Sequence, residues 1–170
     1  MISPTTKRNR RIEGYIRAFS AGVLCLSGLL CFACEDRIVY NQYQAIDGIY
    51  WGKDEVYYFT FRIDDAATPY NISFEVRNDN LYPYQNLWVF YSEEQPSGPL
   101  RQDTLECMLA DGYGKWYGKG ISLHQQGFPV RTRYLFPMKG QYTFAFRQGM
   151  RNDSIRGIQE IGLRVERAQP

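Results

Sequence analysis

The residues able to do chemistry in this 170-residue chain are few. One histidine, His124, sits in the alternating run Ile121-Ser122-Leu123-His124 beside a turn, where a strand-end or surface histidine is the ordinary outcome. Zinc needs at least three protein ligands, which His and Cys do not supply here, so the sequence points to no metal or cofactor site. The carboxylate pairs Asp64-Asp65 and Glu93-Glu94 fall in expected loops. They have the type for calcium binding or glycosidic acid chemistry, but neighbours on a turn ordinarily face solvent. "DGYGKWYGKG" (residues 111–120) suggests a phosphate loop and fails on spacing: Tyr113 stands where the first glycine is required, and Gly120 where Ser or Thr is required. Its rings leave two readings. Tyr113, Trp116 and Tyr117 make a surface for a sugar or a protein partner, or they belong to a tight β-connection and cover a sheet edge. With no nucleophile-base pair, the sequence reads as that of a non-enzyme.

The cysteines sort by context. "GVLCLSGLLCFACED" (residues 22–36) holds Cys25, Cys31 and Cys34, and Cys107 stands alone. Residues 1–17 carry Lys7, Arg8, Arg10, Arg11 and Arg17 against Glu13, and residues 18–33 are uncharged. At ~1.5 Å per residue a helix over that uncharged segment spans roughly 24 Å, short of the ~30 Å core of a bilayer. A short apolar core behind a basic leader is the pattern of a removable secretory signal. Cys34 follows Cys31-Phe32-Ala33, which resembles the bacterial lipobox, with small Ala33 before the cut and Cys31 in place of the usual Leu. Cys25 and Cys31 follow Leu and make poorer acceptors. Residues 1–33 therefore read as a signal peptide, Cys34 as the lipid attachment site, and residues 34–37 as a short tether. Two or three palmitate-type chains, at ~0.8 kcal/mol per buried CH₂, hold a protein firmly to a membrane. An uncleaved anchor, or a cut without lipid, is the alternative.

Cleavage changes the charge. Residues 1–33 hold five of the 20 bases and one of the 18 acids, so a whole-chain charge of +2 becomes −2 for residues 34–170. The basicity belongs to the leader, and no nucleic-acid partner is implied. With Cys34 acylated, Cys107 has no disulfide partner, and its place in Leu105-Cys107-Leu109 reads as a small buried hydrophobe.

The elements that must position these residues are strands. Period-two alternation is clearest in "YNISFEVR" (residues 70–77), with apolar residues on one face and polar ones on the other. Similar runs predict strands at residues 38–44, 57–63, 87–91, 104–109, 121–124, 130–136, 142–146 and 158–166. Turn-forming clusters at residues 64–69, 78–80, 92–99, 111–120, 127–129, 137–140 and 149–153 separate them. About nine strands without helical periodicity predict one all-β domain over residues 38–170: an antiparallel two-sheet β-sandwich, jelly-roll-like or immunoglobulin-like. The run at residues 82–91 reads as core.

Taken in order, several segments resemble the GldH family of gliding-motility lipoproteins from Bacteroidetes. They are Val76-Arg77-Asn78, "YPYQNLW" (residues 82–88), Asp103-Thr104-Leu105, "GKWYGKG" (residues 114–120), "GQYTF" (residues 140–144), Met150-Arg151, Gly157-Ile158 and "IGLR" (residues 161–164). The resemblance implies a cell-envelope lipoprotein linked to gliding motility and to machinery that also serves type IX secretion. It implies envelope protein partners and no catalysis, and it carries the family's lipid-bearing cysteine to Cys34. Glu35-Asp36 resembles surface-export signals of that phylum and favours the outer membrane, with either face open. Asp103-Thr104-Leu105 and Asp153-Ser154-Ile155 look like its O-glycosylation sequence; Ser154, in an expected turn, is the better acceptor. A carbohydrate-binding module is the alternative function.

Overall fold

The computed structural model describes residues 37–169 of the protein, and all of the regular structure there is strand. The ten strands are β1 (Ile38–Ala45), β2 (Tyr50–Gly52), β3 (Val56–Ile63), β4 (Tyr70–Asp79), β5 (Asn86–Glu94), β6 (Arg101–Met108), β7 (Leu123–Tyr134), β8 (Gly140–Gln148), β9 (Ser154–Arg156) and β10 (Ile158–Arg167). Alternation sets their faces. In β3, Tyr57, Phe59, Phe61 and Ile63 are buried, and Val56, Tyr58, Thr60 and Arg62 are exposed.

Pairing is antiparallel and nested: β1 with β10, β2 with β9, β3 with β8, β4 with β7, β5 with β6. The chain is thus one long hairpin wound on itself. Further pairing of β10 with β4 and of β8 with β5 divides it into two four-stranded sheets, β1-β10-β4-β7 and β3-β8-β5-β6, with β2-β9 as a separate ribbon. Nested pairing across two sheets is jelly-roll topology, which resolves the fold in favour of the first of the two sandwich types expected.

The core between the sheets is aromatic. Phe74 of β4 stacks on Phe146 of β8 with centroids 4.6 Å apart, and Tyr142, Phe144 and Phe61 continue the layer. Such offset contacts add about 0.5–1.5 kcal/mol each beyond area burial.

Three expectations are corrected. Residues 127–129 are not a turn but the middle of β7, which joins the two strands expected at residues 121–124 and 130–136. Pro129 is tolerated because β7 is an edge strand and needs no hydrogen bond from every residue. Gly127 is there for space: a Cβ would fall 2.5 Å from Oε1 of the Glu75 side chain. Next, β5 runs on to Glu94, so Glu93-Glu94 is strand, and Glu93 is fully buried. Finally, the run at residues 82–91 is only half core: Tyr82, Leu87, Val89 and Tyr91 are buried, whereas Trp88 and Phe90 face solvent.

Candidate functional site

The loop at residues 111–120 connects β6 to β7 and is tied down at both ends. Oδ1 of Asp111 accepts from the amides of Tyr113 and Lys115, each at 2.9 Å. Those amides, Lys115 foremost, hold the Asp111 carboxyl below its ordinary value. At the other end Lys119 and Gln125 exchange both backbone hydrogen bonds, at 3.0 and 2.9 Å. Gln125 belongs to β7, whose other side pairs with β4, so the loop occupies the free edge of the sheet where β7 begins.

The glycines make that approach possible. Gly120 has φ +138°, and a Cβ there would fall 1.8 Å from the carbonyl oxygen of Leu123. At Gly118 it would meet Cβ of His124 at 3.0 Å. At these two positions close backbone packing is what calls for glycine.

The three expected ring residues go to different places. Trp116 is half-buried. It stacks on His124 at 5.6 Å between centroids and packs against the core near Tyr82. Its indole N–H donates to Oδ1 of Asn80 at 3.1 Å, and Nε2 of His124 lies 2.8 Å from the same oxygen. Tyr113 is 100% exposed, and Tyr117 is exposed as well. Sequence reasoning found the loop and missed Asn80. His124, expected at a strand end or on the surface, is the second residue of β7 and is buried beneath the indole.

The remaining positions are as follows. Ser154 is exposed but opens β9 rather than lying in a turn, opposite Gly52. Thr104 is exposed on β6. Cys107 is fully buried, and burial pushes its thiol far up. Cys34 and the leader lie outside the described residues.

Glu93, expected in a loop, instead centres a polar cluster whose other members the sequence did not single out. Oε1 of buried Glu93 accepts from Gln95 at 3.0 Å and from the Tyr134 hydroxyl at 3.2 Å. Its Oε2 lies 3.9 Å from Arg131, which also donates to the Tyr91 hydroxyl at 2.5 Å. Burial raises the phenols of Tyr91 and Tyr134, and Glu93 raises Tyr134 further. Because Glu93 and Tyr91 are on β5 and Arg131 and Tyr134 on β7, the cluster stitches one sheet to the other. Continuing the alternation Leu87, Val89, Tyr91 by one step would have turned Glu93 inward.

These features define an all-β jelly-roll protein of the antiparallel sandwich class, with a loop packed on one sheet edge. The chain belongs to the GldH lipoprotein family, whose model matches residues 38–165, nearly the whole sandwich. Among curated relatives, "Gliding motility lipoprotein GldH" of Flavobacterium johnsoniae is 30% identical over 159 residues, covering 89% of this chain and 98% of that protein. "Gliding motility lipoprotein GldH homolog" of Christiangramia forsetii is 29% identical, covering 89% and 97%. Among solved structures, "Structure of infectious bursal disease virus Gx strain" aligns with a TM-score of 0.30 at 14% identity, over 74% of this chain and 29% of that one. Membership in a lipoprotein family implies a membrane anchor.

Proposed function

We propose that this protein is a non-catalytic component of a gliding-motility or type IX secretion-linked assembly. It is held at the outer membrane by lipid on Cys34 and presents the sandwich as a scaffold to envelope proteins. The observation that carries the reading is the near-complete alignment with a protein described as a gliding motility lipoprotein, 98% of whose length is covered. The engagement of the reactive groups also favours binding over chemistry. His124 is stacked under Trp116, and Cys107 is sealed in the core. Asp65 caps its own turn by accepting from Ala67 and Thr68.

The test is capture of the full lipidated chain from cross-linked envelopes, beside a Cys34→Ser variant. Motility or secretion components are expected with the parent chain and not with the variant, which should leave the membrane fraction. Recovery of no envelope protein by the parent would overturn the scaffold reading.

A further inference from the structure

The outward side chains of β3, β8, β5 and β6 enclose an open groove of about 690 Å³ that crosses all four strands. It lies on the sheet opposite the one whose edge the Trp116 loop covers. Register makes it concave: Ala145 of β8 stands between Tyr58 of β3 and Ser92 of β5, so small side chains form the floor. Tyr58, 62% exposed, rises at the β3 side, and Phe90, 41% exposed, rises from β5. With strands ~4.8 Å apart, the two ring-bearing backbones are about 10 Å apart across the sheet.

Phe90 is held in place. A Cβ on Gly149 would fall 3.1 Å from its ring, so glycine lets the ring lie along the backbone there, and the Arg147 guanidinium sits 5.3 Å from its centroid. The same strands send Phe59, Val89 and Phe144 into the core, so folding does not require Tyr58 and Phe90 on the wet face.

We propose that this groove binds an uncharged carbohydrate chain. The inference stands apart from the scaffold reading and rests on three observations. First, the floor is the face of a sheet whose backbone groups already pair between strands, so an extended peptide cannot add there as another strand. Recognition must come from side chains. Second, beside the rings the lining offers Ser92, Gln102, Thr104 and Thr143, which both donate and accept as sugar hydroxyls do. Third, Asp54 and Glu94 border the groove and disfavour a polyanion, while Arg147 on an inner strand offsets part of their charge and leaves little net field to draw a charged ligand. A neutral polyol with apolar ring faces satisfies all three.

The full chain in detergent micelles is run through native affinity gels containing laminarin, soluble starch, galactomannan or xylan, with alginate as the anionic comparison. Retardation by at least one neutral polysaccharide and none by alginate is expected. Tyr58→Ala and Phe90→Ala should each weaken that binding about tenfold, the loss of one stacked ring, whereas Tyr113→Ala should leave it unchanged. Ala145→Arg, which fills the floor and keeps both rings, should abolish it, with thermal unfolding confirming that each variant is folded. Any of four gel results would overturn the proposal: no retardation by any neutral polysaccharide, retardation that survives all three groove variants, a preference for alginate, or retardation lost only with Tyr113→Ala. Capture of an envelope protein that the groove variants abolish, without polysaccharide binding, would also overturn it and give the groove to a protein.

Discussion

Trp116 and His124 stack with 28° between their planes and share one acceptor, Oδ1 of Asn80. An indole N–H can only donate, so Asn80 must turn its oxygen toward it. The hydrogen on His124 then belongs on Nε2, leaving Nδ1 buried and with no hydrogen-bond partner among the described residues. Nitrogen chemical shifts of the imidazole should report the Nε2–H tautomer. Asn80→Leu removes the shared acceptor and is expected to cost about 1–3 kcal/mol in denaturant unfolding. An unchanged midpoint would mean that the stack alone holds the loop.

The glycines of this loop are not equivalent. Gly120→Ala sets a Cβ against the Leu123 carbonyl at a backbone conformation that L residues rarely adopt. Destabilisation of at least about 2 kcal/mol is expected, with loss of the Lys119–Gln125 pairing. Gly112, where a Cβ meets nothing within 4 Å among the described residues, should accept alanine within about 0.5 kcal/mol. Equal effects at the two positions would contradict the close approach of the loop to β7.

The contrast shows what could be read in advance. Turn chemistry marked residues 111–120 as a connection, and alternation marked the buried face of β3, because both signals are local. The nested pairing is not local, nor is Asn80, which sits 36 residues from Trp116 and 44 from His124 in the chain. Pro129 and Gly127 looked like punctuation because sequence does not say that a strand lies at an edge. The groove was hidden for a similar reason: Tyr58, Ala145 and Phe90 become neighbours only through register. The three-residue ribbon strands β2 and β9 are too short to show a period.

Thiol titration separates two kinds of cysteine. Burial pushes Cys107 up and closes it to solvent, so native protein processed at Cys34 should show no reactive thiol toward an aromatic disulfide reagent. Guanidinium should then release a single equivalent. A thiol that reacts before unfolding would point to an unmodified Cys34.

Alkaline stability should follow the tyrosines. Burial raises the phenols of Tyr70, Tyr82, Tyr91, Tyr134 and Tyr142 above their ordinary value of 10.0. A group raised on folding contributes stability that is full below its unfolded pKa and is lost as pH climbs toward the folded one. Unfolding free energy should therefore hold up to about pH 10 and decline above it. Phenolate absorbance should lag in native protein behind that of guanidinium-unfolded protein. Coincident titration curves would contradict the buried phenols.

Glu93 and Arg131 allow a test of how the sheets are stitched. The Glu93 carboxylate is fully buried, and Arg131 is the cation that faces it at 3.9 Å. Removing the cation alone leaves a desolvated carboxylate, and Arg131→Met is expected to cost about 2–3 kcal/mol, below the usual range for a buried pair because Arg131 is partly exposed. Replacing both partners by apolar residues of similar volume is often nearly neutral. The double variant Arg131→Met with Glu93→Met should therefore be more stable than Arg131→Met alone, although Tyr134 and Gln95 lose an acceptor. A double variant no more stable than that single one would mean that the pair contributes through its hydrogen bonds to Tyr91 and Tyr134 rather than through charge compensation.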